Sequence, residues 1–178
     1  MVRKLTYKQK LKKYLDTHTL CRGRGNEESC CSIAAINLIR ENILTDRLPL
    51  DLPHAISVWI IGIQDCIPDE LRNSKEWKDT LVEFLDCTSS HKAVEILTEW
   101  LSEKIIPEIF GKYLGELPER NYKQRETKKL LAEMKDASKL QFVYILNQIV
   151  KNYCEHTPMF WKRVDPCSVF QKLVRNQL

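Results

Sequence analysis

Residues 22–77 of this chain read RGRGNEESCCSIAAINLIRENILTDRLPLDLPHAISVWIIGIQDCIPDELRNSKEW, and this stretch decides the fold. Clusters of turn-forming and helix-capping residues at 22–26, 44–49 and 68–74 separate two segments that are apolar on nearly every side. Because a helix without a polar face must be buried all round, these segments predict the centre of the fold. Polar side chains inside them then need hydrogen-bond partners or a function. They are Ser32, Asn37, Ser57, Gln64 and Asp65.

Helix-start signals continue through the rest of the chain. A Ser or Thr followed three residues later by Gln is the capping-box pattern, and other N-cap residues precede apolar periodic segments. The predicted N-caps are Thr6, Asn26, Asp51, Ser74, Ser89 or Ser90, Ser138 and Asp165. One buried face is expected from Ala93 to Ile105, and Pro107 should kink or end that helix.

These signals together predict an all-α fold. We expect a single compact domain of roughly seven helices over residues 1–178, in which 1–24 form a basic N-terminal arm and short helix. The central apolar helices are predicted at about 27–42, 52–66 and 139–154. No alternating run of four or more residues bounded by hairpin turns occurs, so no significant sheet is predicted.

The composition is typical of a globular protein in a reducing compartment. Hydrophobic residues make up 43% of the 178 residues and charged residues 29%, which is ordinary for soluble domains. No apolar run approaches the roughly 18 residues that span a bilayer, and no apolar segment follows the basic N-terminus as in a signal peptide. Seven cysteines without regular spacing favour reduced thiols. We therefore expect a cytoplasmic protein without membrane contact.

Charge is unevenly distributed, although the net charge is only +4. Residues 1–24 contain eight Lys or Arg and one acid, whereas residues 69–119 contain twelve acids and six bases. The basic arm could bind nucleic acid or an acidic partner, with Lys8 and Lys12 on one side of its helix. The alternative is that the arm docks on the acidic middle of its own chain or is simply solvated.

One pair of adjacent cysteines is the candidate nucleophile. Cys30 and Cys31 are predicted in the first turn of a helix, where the helix dipole favours a thiolate. Catalysis also needs a histidine in hydrogen-bond reach, here His54 or His91, and a third group that orients it. The candidate orienting groups are Asp46, Asp65 and Asn37. Against this hypothesis, two acidic neighbours raise the pKa of a thiol, and adjacent cysteines on a buried helix are more often packing residues.

Metal ligation has weaker support. Cys87 and His91 have ligand-like spacing, and Cys154 and His156 precede Cys167. Neither pair is accompanied by the second close pair that a structural zinc site needs. We therefore expect no metal ion and no cofactor.

Two surface segments are candidate binding sites. Arg22 and Arg24 lie on a glycine-flanked loop, where forked guanidinium groups could reach a phosphate or a carboxylate. Residues 159–163, Met-Phe-Trp-Lys-Arg, are predicted to form a loop that exposes aromatic and basic side chains to a partner. The proposed contact residues of that loop are Phe160, Trp161, Lys162 and Arg163. The other three tryptophans lie on apolar helices and are expected in the core.

Four segments of the first half carry a resemblance to other proteins. Residues 26–37, 44–46, 59–65 and 68–77 are similar to small uncharacterised proteins of bacterial and phage genomes. The resemblance implies a prokaryotic or phage setting. It carries no fold, activity or residue role with it.

The sequence favours a non-enzymatic helical protein that acts through protein–protein contacts. The reasons are the lack of a complete catalytic or cofactor motif and a well-specified helical core. A role in bacterial or phage defence or counter-defence rests on the resemblance alone. Two alternatives stay open: a nucleic-acid-binding protein that uses the basic arm, and an enzyme with a cysteine nucleophile.

Overall fold

The computed structural model describes residues 5–110, 118–152 and 158–176, and it confirms the all-α prediction. Two-residue segments, β1 (Thr19–Leu20) and β2 (Ser29–Cys30), pair in parallel and are the only strands in these ranges. The helices, in chain order, are α1 (Tyr7–Thr17), α2 (Ser32–Glu41), α3 (His54–Gln64), α4 (Asp69–Arg72), α5 (Lys75–Phe84), α6 (Ala93–Trp100), α7 (Ile106–Phe110), α8 (Pro118–Glu133), α9 (Lys139–Lys151), α10 (Pro158–Val164) and α11 (Pro166–Arg175).

Four helices begin where their capping residues predict. Thr6 and Ser138 each accept a hydrogen bond from the backbone N–H of the glutamine three residues later, and that glutamine side chain bonds back. Ser74 caps α5 and Asp165 caps α11 in the same way: the side-chain oxygen of each accepts a hydrogen bond from the backbone N–H three residues later. These contacts satisfy N–H groups that have no partner inside the helix, which is why the sequence pattern locates the helix starts.

The segment around Asn26 does not form the helix predicted to begin there. The Asn26 side chain accepts hydrogen bonds from the N–H groups of Glu28 and Ser29, at 3.0 and 2.9 Å, and closes a turn. The helix starts only at Ser32, with Cys31 as its N-cap. An asparagine side chain closes a local turn as readily as it caps a helix, so one pattern suits both structures. Two further helices, α3 and α6, also begin later than Asp51 and Ser89 or Ser90 predict.

Pro107 distorts its helix without ending it. α6 continues through a π-helical turn, residues 101–105, directly into α7. In that turn the backbone N–H of Ile106 bonds the carbonyl of Leu101, five residues back. The wider turn accommodates a proline, which lacks an N–H and would clash with the carbonyl four residues earlier in a regular α-helix.

The core is centred on aromatic rings from four helices. Trp59 of α3 lies against Trp77 of α5, Trp100 of α6 and Phe170 of α11, with ring centroids 5.8–6.1 Å apart. The tilted and edge-to-face arrangements are those that aromatic quadrupoles favour. All three tryptophans are buried, as predicted. α3 also packs along α9, so the central helices of the two halves of the chain are joined.

Three polar side chains of α2 and α3 have hydrogen-bond partners inside this core, whereas the Trp59 indole N–H has none among the described residues. The Gln64 side-chain oxygen accepts a hydrogen bond from the backbone N–H of Ser32 at 2.7 Å, and the Ser32 hydroxyl accepts one from the Trp77 indole at 3.0 Å. The Ser57 hydroxyl donates to the carbonyl of Pro53 at 3.1 Å. Ser32 and Gln64 therefore connect neighbouring helices, and Ser57 bonds the preceding turn of its own chain.

Arg72 is a buried cation that the sequence patterns did not single out. Its guanidinium donates to the carbonyls of Gln64 and Ile67 at 2.8 and 2.7 Å, and to Asp69 at 2.8 Å. The two carbonyls lie at and just beyond the end of α3, where backbone acceptors have lost their helical partners. Burial lowers the pKa of Arg72, and Asp69 acts against that shift. Arg72 therefore supplies hydrogen-bond donors to the carbonyls that the end of α3 leaves without helical partners.

The N-terminal helix packs on the rest of the chain. Leu11 and Leu15 of α1 are buried, and α1 lies against α2 and α5. Lys8 forms an ion pair with Asp86 of the acidic middle at 2.5 Å, whereas Lys12 is exposed. Within residues 5–17, the arm therefore contacts the acidic middle through this ion pair and through the packing of α1 on α5.

Candidate functional site

The two candidate nucleophiles are buried. Cys30 lies in β2 with its Sγ atom 3.2 Å from the Tyr14 hydroxyl, and the Cys31 Sγ atom accepts a hydrogen bond from the N–H of Ala34 at 3.3 Å. Burial raises the pKa of Cys30 to about 11, and burial also raises the pKa of Cys31. A thiol with a raised pKa stays protonated near neutral pH and is a poor nucleophile.

The two candidate bases lie on the surface. His54 begins α3 and His91 precedes α6, and both side chains are exposed. His91 Nδ1 lies 2.9 Å from the Ser89 hydroxyl. In the part of the chain that the structure describes, neither histidine bonds Cys30 or Cys31. The nucleophile–base pair that a cysteine enzyme needs is therefore not assembled from these four residues.

The candidate metal ligands do not converge either. Cys87 is buried, His91 is exposed, and Cys167 has its Sγ atom 3.7 Å from the Ser74 hydroxyl. Cys154 and His156 lie outside the described residues. Within 5–110, 118–152 and 158–176, no three His, Cys, Asp or Glu side chains are grouped as a ligand set.

Arg22 and Arg24 project from the loop between the two strands. Gly23 and Gly25 have positive φ angles of 64° and 68°, a conformation that glycine adopts without strain. The N–H of Gly23 donates to Asp65 at 3.0 Å, which ties the loop to the end of α3. Both arginines are exposed, and neither forms an ion pair within the described residues. The predicted role of these two arginines requires that a ligand can reach them, and their exposed position on the loop meets that requirement.

The segment 159–163 is not the exposed loop that its composition predicted. It belongs to α10, and the rings of Phe160 and Trp161 are buried with an edge-to-face contact at 5.1 Å. Lys162 and Arg163 are exposed, and Arg163 pairs with Glu108 at 3.0 Å. The aromatic residues face inward because α10 packs against α7, a contact between distant segments that composition does not reveal.

The structure instead gathers exposed apolar residues at one end of α2. Leu5, Tyr7, Ile43 and Leu50, here called the α2 apolar end, line two clefts that meet at Glu41. They are four of the six exposed large hydrophobic residues in the described ranges, the others being Tyr122 and Tyr144. No sequence pattern marked these four, since each is an isolated apolar residue near a turn or a helix end.

Arg40 lines the cleft of the α2 apolar end that contains Leu5 and Tyr7. Its guanidinium is 6.0 Å from the centroid of the Tyr7 ring, and it forms an ion pair with Asp51. A guanidinium over an aromatic ring gains cation–π stabilisation. These contacts hold Arg40 between the N-terminal helix and the loop that carries Leu50.

A second recess, the α3–α9 groove, lies between the two central helices. Its volume is about 370 Å³, and it is lined by apolar residues together with Asp65, Asn147 and Lys151. Asn147 packs against Gly62 of α3 and donates a hydrogen bond to the carbonyl of Val58 at 2.9 Å. The groove shares one lining residue, Leu48, with the cleft that contains Ile43 and Leu50.

Comparison with protein families, curated proteins and solved structures gives no match to this chain. No helix of the described residues combines the length and the apolar character needed to cross a bilayer.

Proposed function

We propose that this protein is non-enzymatic and acts by binding a protein partner through the α2 apolar end. The observation that carries the proposal is the grouping of four exposed apolar side chains along two clefts that share Glu41. Apolar surface gains roughly 25 cal/mol for each Å² that a partner removes from water. Exposed apolar residues that are grouped on one part of a folded protein are typical of interaction sites.

The residue types in this patch support a protein interface. Tyrosine and arginine are among the residues that contribute most to binding at interface centres. Arg40 is already held by Asp51 and by the Tyr7 ring, so less side-chain entropy is lost when a partner contacts it. Leu50 is fully exposed on the loop after α2 and offers its whole side chain to a partner.

Neither alternative function has comparable support. In the basic arm, Lys8 is engaged by Asp86, and the apolar face of α1 is buried. The thiols of Cys30 and Cys31 are buried and have raised pKa values. A setting in bacterial or phage defence or counter-defence stays part of this proposal and rests on the resemblance of residues 22–77.

The test is recovery of the partner from host cells with substitutions inside and outside the patch. Tagged wild-type protein, Ile43→Asp, Leu50→Asp and the control Tyr122→Asp are purified in parallel, and bound proteins are identified by mass spectrometry. Because all three positions are exposed, each variant should keep its fold within about 0.5 kcal/mol. We expect one protein in stoichiometric amount with the wild type and Tyr122→Asp, and at least tenfold less with the two patch variants.

Two results contradict the proposal. One is recovery of the same partner in equal amount with both patch variants. The other is recovery of nucleic acid in place of a stoichiometric protein, which would support the basic-arm alternative.

A further inference from the structure

The α3–α9 groove has the size and lining of a small-molecule site. Its volume of about 370 Å³ lies in the range of pockets that hold small ligands. Leu48, Val58, Ile61 and Tyr144 give it a largely apolar wall. Asp65 and Lys151 line the same groove and bring one charge of each sign to it.

Two residues of the groove depart from what stability alone favours. Gly62 lies inside α3, where glycine is less favourable than alanine because its backbone loses more conformational freedom on folding. A Cβ atom there would lie 2.2 Å from the Asn147 amide nitrogen, so the glycine makes room for Asn147. The Asn147 side-chain oxygen is buried and has no hydrogen-bond partner among the described residues. Such local departures are concentrated at functional sites.

The two charged groups of the groove are free to contact a ligand. Asp65 is exposed, and its Oδ1 atom accepts the Gly23 N–H, which orients the carboxylate. Its Oδ2 atom receives no hydrogen bond from the described part of the chain. Lys151 is exposed at the end of α9 and forms no ion pair within the same ranges. A carboxylate and an ammonium in one groove match the two charges of a zwitterion.

We propose that the α3–α9 groove binds a small zwitterion with an apolar side group, the chemistry of an apolar α-amino acid. The ligand's ammonium pairs with the Asp65 carboxylate, and its carboxylate pairs with the Lys151 ammonium. Its apolar side group lies against Ile61 and Tyr144. Each ligand charge is thereby compensated, which avoids the cost of a desolvated unpaired charge. This site goes beyond the proposed protein binding and does not depend on it.

The ligand class is tested by isothermal titration calorimetry with four probes. L-Leucine and L-phenylalanine carry both charges, phenethylamine lacks the carboxylate, and 3-phenylpropionate lacks the ammonium. We expect both amino acids to bind, and each singly charged compound to bind at least tenfold more weakly than L-phenylalanine. Equal affinity for either singly charged compound, or no heat of binding with either amino acid at millimolar concentration, would overturn the proposal.

The groove is tested by substitutions that remove one charge each. Asp65→Asn keeps an acceptor for the Gly23 N–H, and Lys151→Gln keeps the length of a polar side chain. Each should weaken L-phenylalanine binding at least tenfold, whereas Lys139→Gln at the other end of α9 should not. Leu50→Asp should also leave this affinity unchanged, which separates failure of this site from failure of the protein contact. Unchanged binding by both Asp65→Asn and Lys151→Gln would place the ligand elsewhere and overturn the proposal.

Discussion

Asn37 and Asn147 are both buried in central helices, yet their amides are used differently. The Asn37 amide nitrogen donates to the carbonyls of Thr45 and Arg47, both at 2.8 Å, and so secures the loop after α2. The Asn147 amide donates once, and its oxygen has no partner among the described residues. A buried polar group contributes to stability only when its partners would otherwise be left unpaired.

The two asparagines should therefore respond oppositely to leucine. Asn37→Leu leaves two carbonyls without their donor and should cost about 1–3 kcal/mol, which lowers the melting temperature by roughly 2–4 °C for each kcal/mol. Asn147→Leu removes an unpaired buried oxygen, and the Val58 carbonyl that loses the Asn147 donor keeps its helical partner inside α3, so the melting temperature should be unchanged or higher. Differential scanning calorimetry measures both. An Asn37→Leu protein that melts at or above the wild-type temperature would contradict the role assigned to that amide.

Buried thiols make the folding stability of the protein depend on pH in the alkaline range. Burial raises the pKa of Cys30 and of Cys87 to about 11, from an ordinary value of 9.0. Between these pH values the folded chain keeps thiol protons that the unfolded chain has lost. The free energy of unfolding is therefore highest below pH 9 and falls as the pH rises from 9 through 11.

The double variant Cys30→Ala/Cys87→Ala should lose less stability than the wild type as the pH rises from about 8 to 10.5. Urea unfolding at several pH values gives the two slopes, and lysines and tyrosines contribute to both. Equal slopes for wild type and variant would show that these thiols titrate alike in the folded and unfolded states.

At the scale of elements, the sequence located helices best where one side chain alone decides the start. Thr6, Ser74, Ser138 and Asp165 bond N–H groups of their own helix, so a local pattern is sufficient. Asn26 also bonds nearby N–H groups, but in a turn, and its local pattern does not distinguish the two outcomes. The sequence pattern predicts the central helices themselves. Their boundaries depend on which backbone N–H groups a nearby side chain bonds, and the pattern does not show this.

Burial that depends on distant segments was not predictable in the same way. Phe160 and Trp161 have no long apolar periodicity around them, and the packing of α10 on α7 and on the π-helical turn at 101–105 turns them inward. The exposure of Ile43 and Leu50 likewise follows from how the loop after α2 lies on the fold. One signal was present for the groove: a glycine inside an apolar helix, Gly62, indicates the close approach of another side chain.

Arg72 offers a test at the end of an element. Arg72→Met removes the donors to the carbonyls of Gln64 and Ile67 and should cost about 2–4 kcal/mol. The matched control is Arg175→Met, since Arg175 is exposed and its only ion pair in the described chain, with Glu83 at 3.3 Å, lies on the surface. That change should stay within about 0.5 kcal/mol. Chemical denaturation of both variants measures the difference, and equal losses would contradict the role of Arg72 at the end of α3.

At the scale of the whole molecule, opposite charges along the chain compensate one another. The basic N-terminal segment meets the acidic middle through Lys8 and Asp86, and basic side chains of α11 meet the same region through the pairs Lys172–Glu99 and Arg175–Glu83. Surface pairs of this kind contribute little to stability. Their main effect is on the electrostatic potential of the surface. They reduce the positive potential that would attract a phosphate backbone.

A nucleic-acid function of the basic arm therefore makes a specific prediction that we expect to fail. Phosphate contacts by Lys8 and Lys12 would make the affinity fall with salt by about one log unit per log of salt for each phosphate neutralised. Fluorescence anisotropy with duplex and single-stranded DNA compares the wild type, Lys8→Glu/Lys12→Glu, and the control Lys129→Glu/Lys135→Glu. The control makes the same charge change at two exposed lysines in and just after α8, far along the chain from the arm. We expect weak binding that both double variants reduce equally, because a general positive field has no preferred site. Loss of binding with the arm variant alone, while circular dichroism shows it folded, would establish the arm as a nucleic-acid site and replace the protein-binding proposal.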